Sequence, residues 1–563
     1  MKRYSTSSIG RMVTRVFLSL LFFSGTVPKT AESRESESFN IVKNIELLGE
    51  VYRGVSENYV DSIDTAEFMY AGIDGMLETL DPYTVFLDEK ESDELGELTS
   101  GQYAGIGIRI SEIAGGVYVL SVFDGSPAAK AGLRVGDRID KVDRHIVKGK
   151  DLDEVKTFIK GPAGSEVVLT VERYGKKRRL RARITRQEVR VNSIRYAGLL
   201  GDIGYFEMDS FGSRSPEELS RAINELDAES RIGKRPMTGL ILDLRNNPGG
   251  LLDAAVDVSG IFVGINSQVV STMGRDPESR ISYKTKHAPV VEKRPLAILI
   301  NKNSASAAEI VAGAIQELDR GVIVGDRSFG KGLVQSVITL PYDSKLKMTT
   351  SKYYTPSGRL IQKEHDWTGG PRKVLEREEK PADGIVFYTR NKRKVYGGGG
   401  ILPDIRLDGY IPGSYEAALR KEGMLFRFAN IYRASHDRIP PAGIDRKALM
   451  RDFAGFLDRK EFIYKSEPEE LLEEVKQSLD ESHKEAHPGI DSLVTSLEKE
   501  MKLLAGEQKS SESTQVSLAL EREILRHYDE DAALRSRIEG DPVVKKALEV
   551  LQDQGAYSKL LSP

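Results

Sequence analysis

The sequence predicts a multidomain α/β protein built on a mostly parallel sheet, and three observations carry that prediction. The first is a strand, turn and helix in succession. An apolar run at 296–300 ends in Asn301, Lys302, Asn303 and Ser304, after which Ala, Ile, Val and Leu recur at helical spacing from 305 to 318. The second is a repeat of that pattern, in which 239–244 reads as a buried strand followed by Arg245, Asn246, Asn247, Pro248, Gly249 and Gly250 and then by a helical run from 251 to 262. Two such units imply parallel strands whose carboxyl-end loops meet on one edge. The third is size, since 563 residues suffice for about three to four domains.

Composition narrows the classes. A net charge of −3 with 30% charged residues describes an ordinary soluble protein without a built-in pull toward nucleic acid. The chain has no cysteine, which excludes disulfides, zinc–thiolate sites, cysteine catalysis and a lipoprotein cysteine. No cluster of metal ligands accompanies the motifs below, and the glycine run that starts after Tyr396 lacks the Gly-Lys-Ser/Thr ending of a phosphate-cradling loop. The sequence therefore predicts neither a metal nor a cofactor.

Residues 1–30 read as a targeting segment, because Lys2, Arg3, Arg11 and Arg15 precede an apolar run at 16–27. That run is too short for the ~20 helical residues that span a bilayer, and it suits a signal-peptide core. The prediction is export to a periplasmic location. Pro28, Lys29, Thr30 and Ala31 form a poor cleavage site, so an uncleaved anchor in the inner membrane is kept as an alternative, beside a buried helix of the fold.

From 39 to 100 the pattern is helical. Ile41, Ile45, Leu48, Val51, Tyr52 and Val55 form one stripe, Phe68, Ile73, Met76, Leu77 and Leu80 a second, and Asp81-Pro82 ends it. Residues 101–186 resemble a PDZ domain. Tyr103, Ala104, Gly105, Ile106, Gly107 and Ile108 match the glycine loop that leads into the peptide-binding strand, and the run from Gly125 to Asp137 matches the domain's central segment. Glycines there let consecutive N–H groups converge on a terminal carboxylate. The resemblance thus implies protein or peptide partners with free C-termini. Lys176 to Ile184 is rich in Lys and Arg, but Leu180, Ala182 and Ile184 alternate with Arg181 and Arg183, which reads as a half-buried strand with a solvated basic face and not as a nucleic-acid patch.

Residues 187–408 carry the chemistry. Ser306 stands at the start of the second predicted helix, where backbone N–H groups and the helix dipole suit a developing oxyanion; a plain helix cap is the alternative. Lys331 lies between Gly330 and Gly332 and close to two apolar runs. Desolvation lowers a lysine's pKa toward that of a base, and serine with neutral lysine is a working nucleophile and base; an exposed turn is the alternative.

Ser304, Ala305, Ser306, Ala307, Ala308 and Glu309, with Phe329, Gly330, Lys331, Gly332 and Gln335, resemble the active-site signature of the C-terminal processing peptidases, or tail-specific proteases. The resemblance implies a serine endopeptidase with a crotonase-like core, an inserted PDZ domain, N-terminal helices and a helical C-terminal extension. It makes Ser306 the nucleophile, Lys331 the base and Gln335 the residue that orients the lysine. One oxyanion donor falls in the pair Gly249 and Gly250, between which the sequence does not choose, and the other is the Ala307 N–H. Ala308 replaces a serine common in the family pattern. Glu309, on the same helix face as Ser306, supports the site or makes a structural hydrogen bond, and Asp243 reads as structural. A Ser-His-Asp triad through His287 or His365 is an alternative chemistry. A catalytically silent PDZ scaffold and a crotonase-fold acyl-CoA enzyme are alternative functions.

Residues 414–563 read as a polar, helical extension. Leu493, Leu497, Met501 and Leu504 form one stripe, Val544, Leu548 and Leu551 another, and 505–513 reads as a polar linker between them. The stripes fit a small helical domain, a surface for oligomerisation or a cover for the core.

Overall fold

A computed structural model describes residues 29–363, 385–440, 443–482 and 488–563. The proposed targeting segment, apart from its last two residues, and His365 lie outside them. The chain divides into two compact units, the first ending at Phe86 and the second beginning at Leu87.

In the first unit, helices α1 (Lys29–Asn58) and α2 (Thr65–Leu77) are joined by a turn. Asp64 caps α2 by accepting from the N–H groups of Ala66 and Glu67. Tyr52 stacks on Phe68 at 5.8 Å, and its hydroxyl donates to the Thr65 carbonyl. The rest of the predicted α1 stripe is not covered within the unit: Ile41, Ile45, Leu48 and Val51 are all exposed. Among the described residues no helix is long and apolar enough to cross a membrane.

The second unit opens with α3 (Glu89–Ser100), after the short strand β1 (Val85–Leu87), and continues into a small β-domain. Its sheet has the order β3 (Ile108–Ile113), β4 (Gly116–Val122), β5 (Arg138–Val142), β7 (Glu166–Glu172), β8 (Leu180–Thr185), with β6 (His145–Ile146) paired to β5. Helices α4 (Pro127–Lys130) and α5 (Leu152–Ile159) pack against it. In β8, Ala182 and Ile184 are buried while Arg181 and Arg183 are exposed, the alternation read from the sequence. The proposed glycine loop is shorter than expected. Tyr103, Ala104 and Gly105 belong to a strand, β2 (Gln102–Gly105), paired antiparallel with β9 (Gln187–Arg190), and only Ile106 and Gly107 form the loop before β3. Residues 187–190 thus pair with β2 in a two-stranded ladder of their own, separate from the sheet of the β-domain.

The core sheet runs β10 (Ile194–Leu200), β11 (Ile203–Met208), β12 (Gly239–Asp243), β15 (Leu296–Ile300), β16 (Val322–Gly325), β21 (Ile405–Arg406), with every pair parallel except β10 with β11. Successive side chains of a strand point to opposite faces, so a strand apolar at every position needs a cover on both. Leu240, Leu242, Leu296, Ile298 and Ile300 pack under α6 (Ser215–Ile232), α7 (Leu252–Gly260) and α8 (Ala307–Glu317). Ile241, Ala297 and Leu299 meet the other face's cover, made by α15 (Glu530–Gly540), α16 (Pro542–Gln552) and α17 (Gln554–Leu560). The second predicted stripe, Val544, Leu548 and Leu551, is thus a lid on the sheet.

A smaller antiparallel sheet in the same unit joins β17 (Leu333–Thr339), β18 (Lys345–Tyr354), β13 (Gln268–Met273) and β14 (Ile281–Lys284), and β19 (Val386–Tyr388) pairs with β20 (Lys394–Tyr396). The helices α9 (Ser414–Lys421), α10 (Met424–Ser435), α11 (Arg446–Arg459) and α14 (Ser513–Arg526) share a core around Phe428, Phe453 and Phe456. The expected linker at 505–513 is instead helix. After α12 (Glu467–Ser482), α13 (Pro488–Ser511) runs through it to the start of α14, with Ala505 buried and Gln508 accepting from the Tyr464 hydroxyl. Polar residues without proline on a partly solvated helix face read as linker by composition alone.

Candidate active site

The two strand–turn–helix units predicted from the sequence meet at the carboxyl ends of β12 and β15. Ser306 caps α8 with φ 54° and ψ −114°, a left-handed conformation that costs a serine ~1–3 kcal/mol unless its surroundings impose it. They do so here. Its N–H donates to Glu309 Oε2 (2.9 Å), and its carbonyl accepts from the N–H groups of Glu309 (2.9 Å) and Ile310 (3.0 Å) and from the buried Tyr353 hydroxyl (3.2 Å).

The loop after β12 is fixed by its asparagines. Asn247, fully buried, donates to the Met208 carbonyl, accepts the Gly249 N–H on Oδ1, and accepts the Ala305 N–H on its own carbonyl. Asn246, at φ 60°, exchanges hydrogen bonds with Asn301 and accepts from Asn303. The Ser304 hydroxyl donates to the Leu244 carbonyl. These contacts place the two glycines differently. A Cβ on Gly249 would lie 2.8 Å from Ser306 Cβ and 2.9 Å from the Ala307 nitrogen, whereas one on Gly250 would lie 2.2 Å from the Phe211 carbonyl oxygen. Gly249 faces the serine and Gly250 faces Phe211. With φ 104° at position 249, Gly249→Ala is expected to lower kcat by ~10²-fold or more, because the methyl group displaces Ser306 or Ala307 and small displacements of reacting groups are that costly. Steady-state kinetics on a variant whose circular dichroism matches the parent checks this.

Lys331 is partly buried in the loop before β17, and that loop is joined to the serine's helix by Glu309. This carboxylate is wholly buried and accepts four hydrogen bonds: on Oε1 from the Ser328 hydroxyl (2.5 Å) and the Gly330 N–H (2.7 Å), on Oε2 from the Lys331 N–H (2.9 Å) and the Ser306 N–H (2.9 Å). Burial pushes its pKa up to about 7, against the pull of the four donors. Other ties complete the loop. Phe329 N–H donates to the Ser304 carbonyl, Gly332 N–H to Gln362, and Lys363 N–H to the Gly330 carbonyl. The glycine run 397–400 lies under the same loop: a Cβ on Gly400 would be 2.6 Å from the Ser328 carbonyl oxygen, and one on Gly330 would be 3.1 Å from the Gly400 nitrogen.

Gln335, one turn of the ladder along β17, donates through its amide to Thr349 on β18 (3.2 Å). His287 is exposed. Asp243, at the end of β12, is buried against Arg245 and the Tyr205 hydroxyl. Burial pushes its carboxyl up, but the guanidinium and the hydroxyl hold it below the usual range. The Tyr103–Ile108 segment lies in the β-domain, where β3 pairs only with β4 among the described strands and keeps its other edge open. Ile106 is buried in that domain's core, and Lys160 stands 5.9 Å from the Tyr103 ring.

Four segments of the chain match known family models: residues 202–368 match peptidase family S41, 118–173 a PDZ domain, 415–551 the C-terminal helical domain of a probable PDZ-protease, and 22–91 the N-terminal domain of the activating protease CtpB. The chain is 36% identical over 347 residues to a carboxy-terminal-processing protease of Bartonella bacilliformis, covering 62% of this chain and 79% of the relative. It is 32% identical over 347 residues to the carboxy-terminal processing protease CtpB of Bacillus subtilis, covering 60% and 69%. Among solved structures, a photosystem II D1 C-terminal processing protease is similar at 29% identity, with 64% of this chain and 92% of that one covered and a TM-score of 0.34.

Fold, site and relatives define a serine-type peptidase with a PDZ domain and a helical C-terminal domain. The chain belongs to the carboxy-terminal processing protease family, peptidase family S41.

Proposed function

We propose that the chain is an endopeptidase that selects protein and peptide substrates by their free C-terminal tails and cuts them with a Ser306–Lys331 dyad on a crotonase-like core. One observation carries the reading. A single oxygen, Glu309 Oε2, accepts the backbone N–H of both Ser306 and Lys331 at 2.9 Å, so the two backbone nitrogens lie within about 6 Å of each other, twice that hydrogen-bond length. A lysine side chain reaches a neighbouring hydroxyl from there.

In this mechanism the neutral Lys331 amine takes the proton of Ser306 Oγ as that oxygen attacks the scissile carbonyl, and it returns the proton to the departing amine. The negative charge on the tetrahedral oxygen is met by the Ala307 N–H at the start of α8 and by a second N–H of the Gly249–Gly250 pair, in which Gly249 lies against Ser306 while its own N–H is given to Asn247 Oδ1. A water then releases the acyl group by the same proton path. Gln335 holds the lysine's approach from β17.

The open edge of β3 and the Ile106–Gly107 turn support tail binding, in which a peptide adds as a strand and its carboxylate meets the loop N–H groups. Amidating the C-terminus of a substrate removes that charge and is expected to raise KM by ~10-fold or more while the scissile sequence is unchanged. Equal rates for free and amidated peptides would refute tail selection, and no turnover of either by the intact chain would favour the silent scaffold.

The basic residues and apolar run of 1–30 support export to the periplasm, with membrane association if the segment stays attached. Residues 1–40 fused to a reporter active only after export should switch it on; a reporter that stays silent would overturn this. The exposed Leu493, Leu497 and Leu504 on α13 support oligomerisation through the C-terminal helices, which sedimentation equilibrium decides.

A further inference from the structure

The C-terminal helical domain touches both the PDZ domain and the catalytic sheet, and one helix reaches from the first to the second. At its start, Glu530 accepts a hydrogen bond from the Ser121 hydroxyl on β4 of the PDZ domain at 2.6 Å. Eleven residues of helix, about 16 Å, separate that contact from the other end. There Arg537 pairs with Glu207 on β11, and Ile538 packs on the back of the sheet. The helix ends at Asp541, which meets Arg245 Nη1 at 2.8 Å and also caps α16 by accepting from the N–H groups of Val543 and Val544.

Arg245 is the first residue of the loop that ends in Gly249 and Gly250. Its guanidinium is held between Asp243 and Asp541, with all three side chains largely buried. At the PDZ end the contact is broader than one hydrogen bond. Phe426 on α10 meets Tyr118 of β4 edge-on at 5.3 Å, and Phe426 also lies 5.3 Å from the His527 ring at the end of α14. A Cβ on Gly136 would fall 1.7 Å from Asn430 Oδ1, which takes a hydrogen bond with His527 Nε2 at 3.0 Å. The PDZ domain is therefore seated on α10 and α15, with His527 at the end of α14 backing Phe426 and Asn430.

From this arrangement we infer that α15 is a strut by which the seating of the PDZ domain sets the glycine loop at the nucleophile, with Asp541 the positioning residue at the catalytic end and Glu530 the sensing residue at the other. A PDZ domain inserted on two connections can move as a body. If it leaves its seat, Glu530 loses Ser121, the helix is freed to shift, and the Asp541–Arg245 contact that borders the loop shifts with it. Asp541 touches no substrate and acts only through Arg245. The inference rests on the reading of Gly249 and Ser306 as catalytic, which Ser306→Ala tests separately.

The test is a double-mutant cycle on the full chain with Ser121→Ala and Asp541→Asn. Asparagine is a good helix cap, so Asp541→Asn removes the carboxylate charge that faces Arg245 while keeping α16 capped. An unfolded protein with a free tail is the substrate, and melting temperatures are recorded beside kcat and KM. Asp541→Asn is expected to lower kcat ~10-fold with KM within twofold, and Ser121→Ala to lower kcat ~5-fold. Together they should lower kcat no further than Asp541→Asn alone, because a strut cut at one end transmits nothing from the other. Glu530→Ala should copy Ser121→Ala, while Glu530→Gln, which keeps an acceptor for the hydroxyl, should retain the parent rate. Multiplying effects on kcat in the double variant would overturn the inference, as would losses that follow the melting temperature alone. If Ser306→Ala keeps its activity, the catalytic reading fails and the inference falls with it.

Discussion

Ser306→Ala is expected to abolish cleavage of an unfolded protein, by ~10⁴-fold or more, and Lys331→Arg to fall nearly as far. Members of a nucleophile and base pair act as a unit, so losing either removes most of what both supply. Arginine keeps the positive charge and much of the length of lysine but does not lose its proton near neutral pH, so it leaves Ser306 without a base. Neither change removes the backbone contacts that hold the site, because Glu309 accepts the main-chain N–H groups of both residues. The variants should therefore melt within a few degrees of the parent. Purified proteins, a fluorescent unfolded substrate and a melting curve are sufficient. Ordinary turnover by either variant would remove the dyad.

Glu309→Ala is expected to be damaging in a different way, with activity lost and the fold weakened together. It would strand one hydroxyl and three N–H groups in a buried site, each costing about 1–3 kcal/mol if nothing replaces the carboxylate. The acid itself gives a signature in pH. Burial raises its pKa to about 7, from a usual value near 4.5, so the folded protein takes up a proton there that the unfolded chain does not hold until lower pH. A raised carboxyl contributes stability that is complete below about 4.5 and is lost as pH rises through about 7. Activity should run the other way. A protonated Glu309 places hydrogen on an oxygen that already faces two donors, so the join between Ser306 and Lys331 loosens and kcat falls as pH drops through about 7. Opposite slopes for melting temperature and kcat between pH 5 and 7.5 are the expected result. Glu309→Gln, which has no such proton, should lose the stability slope in that window. Parallel slopes in the parent protein would rule out this role.

Much of the catalytic sheet was legible because its signals are local. The runs 240–242 and 296–300 are apolar at every position, and each is followed by a turn and a helix, so their parallel pairing could be read without knowing their neighbours. The same runs demanded two covers, but only one was nearby in sequence. The other comes from α15 to α17, more than two hundred residues later, and a helical stripe such as Val544, Leu548 and Leu551 does not say which surface it meets. Glu309 showed only its place on the helix face. Its two loops meet through the fold, and no spacing in the sequence announces four donors converging on one carboxylate. The glycine run at 397–400 was legible only as lacking the ending of a phosphate-cradling loop, while its close approach to Gly330 and Ser328 depends on packing between distant segments. Paired glycines at 249 and 250 are interchangeable as letters, and only their neighbours, Ser306 for one and Phe211 for the other, tell them apart.

The position of the sheet's second cover also fixes the order in which the peptidase becomes competent during synthesis. Strands β11, β12, β15 and β16 leave the ribosome with Ile203, Tyr205, Ile241, Leu299 and Val324 bare on one side, and the residues that shield them, Ile538 to Leu551, are made more than two hundred residues after β16. Until then the nascent chain exposes an apolar face, and Asp541, the partner of Arg245 at the start of the glycine loop beside Ser306, does not yet exist. A chain broken off before Ile538 would leave that face of the sheet bare and would be an aggregation hazard.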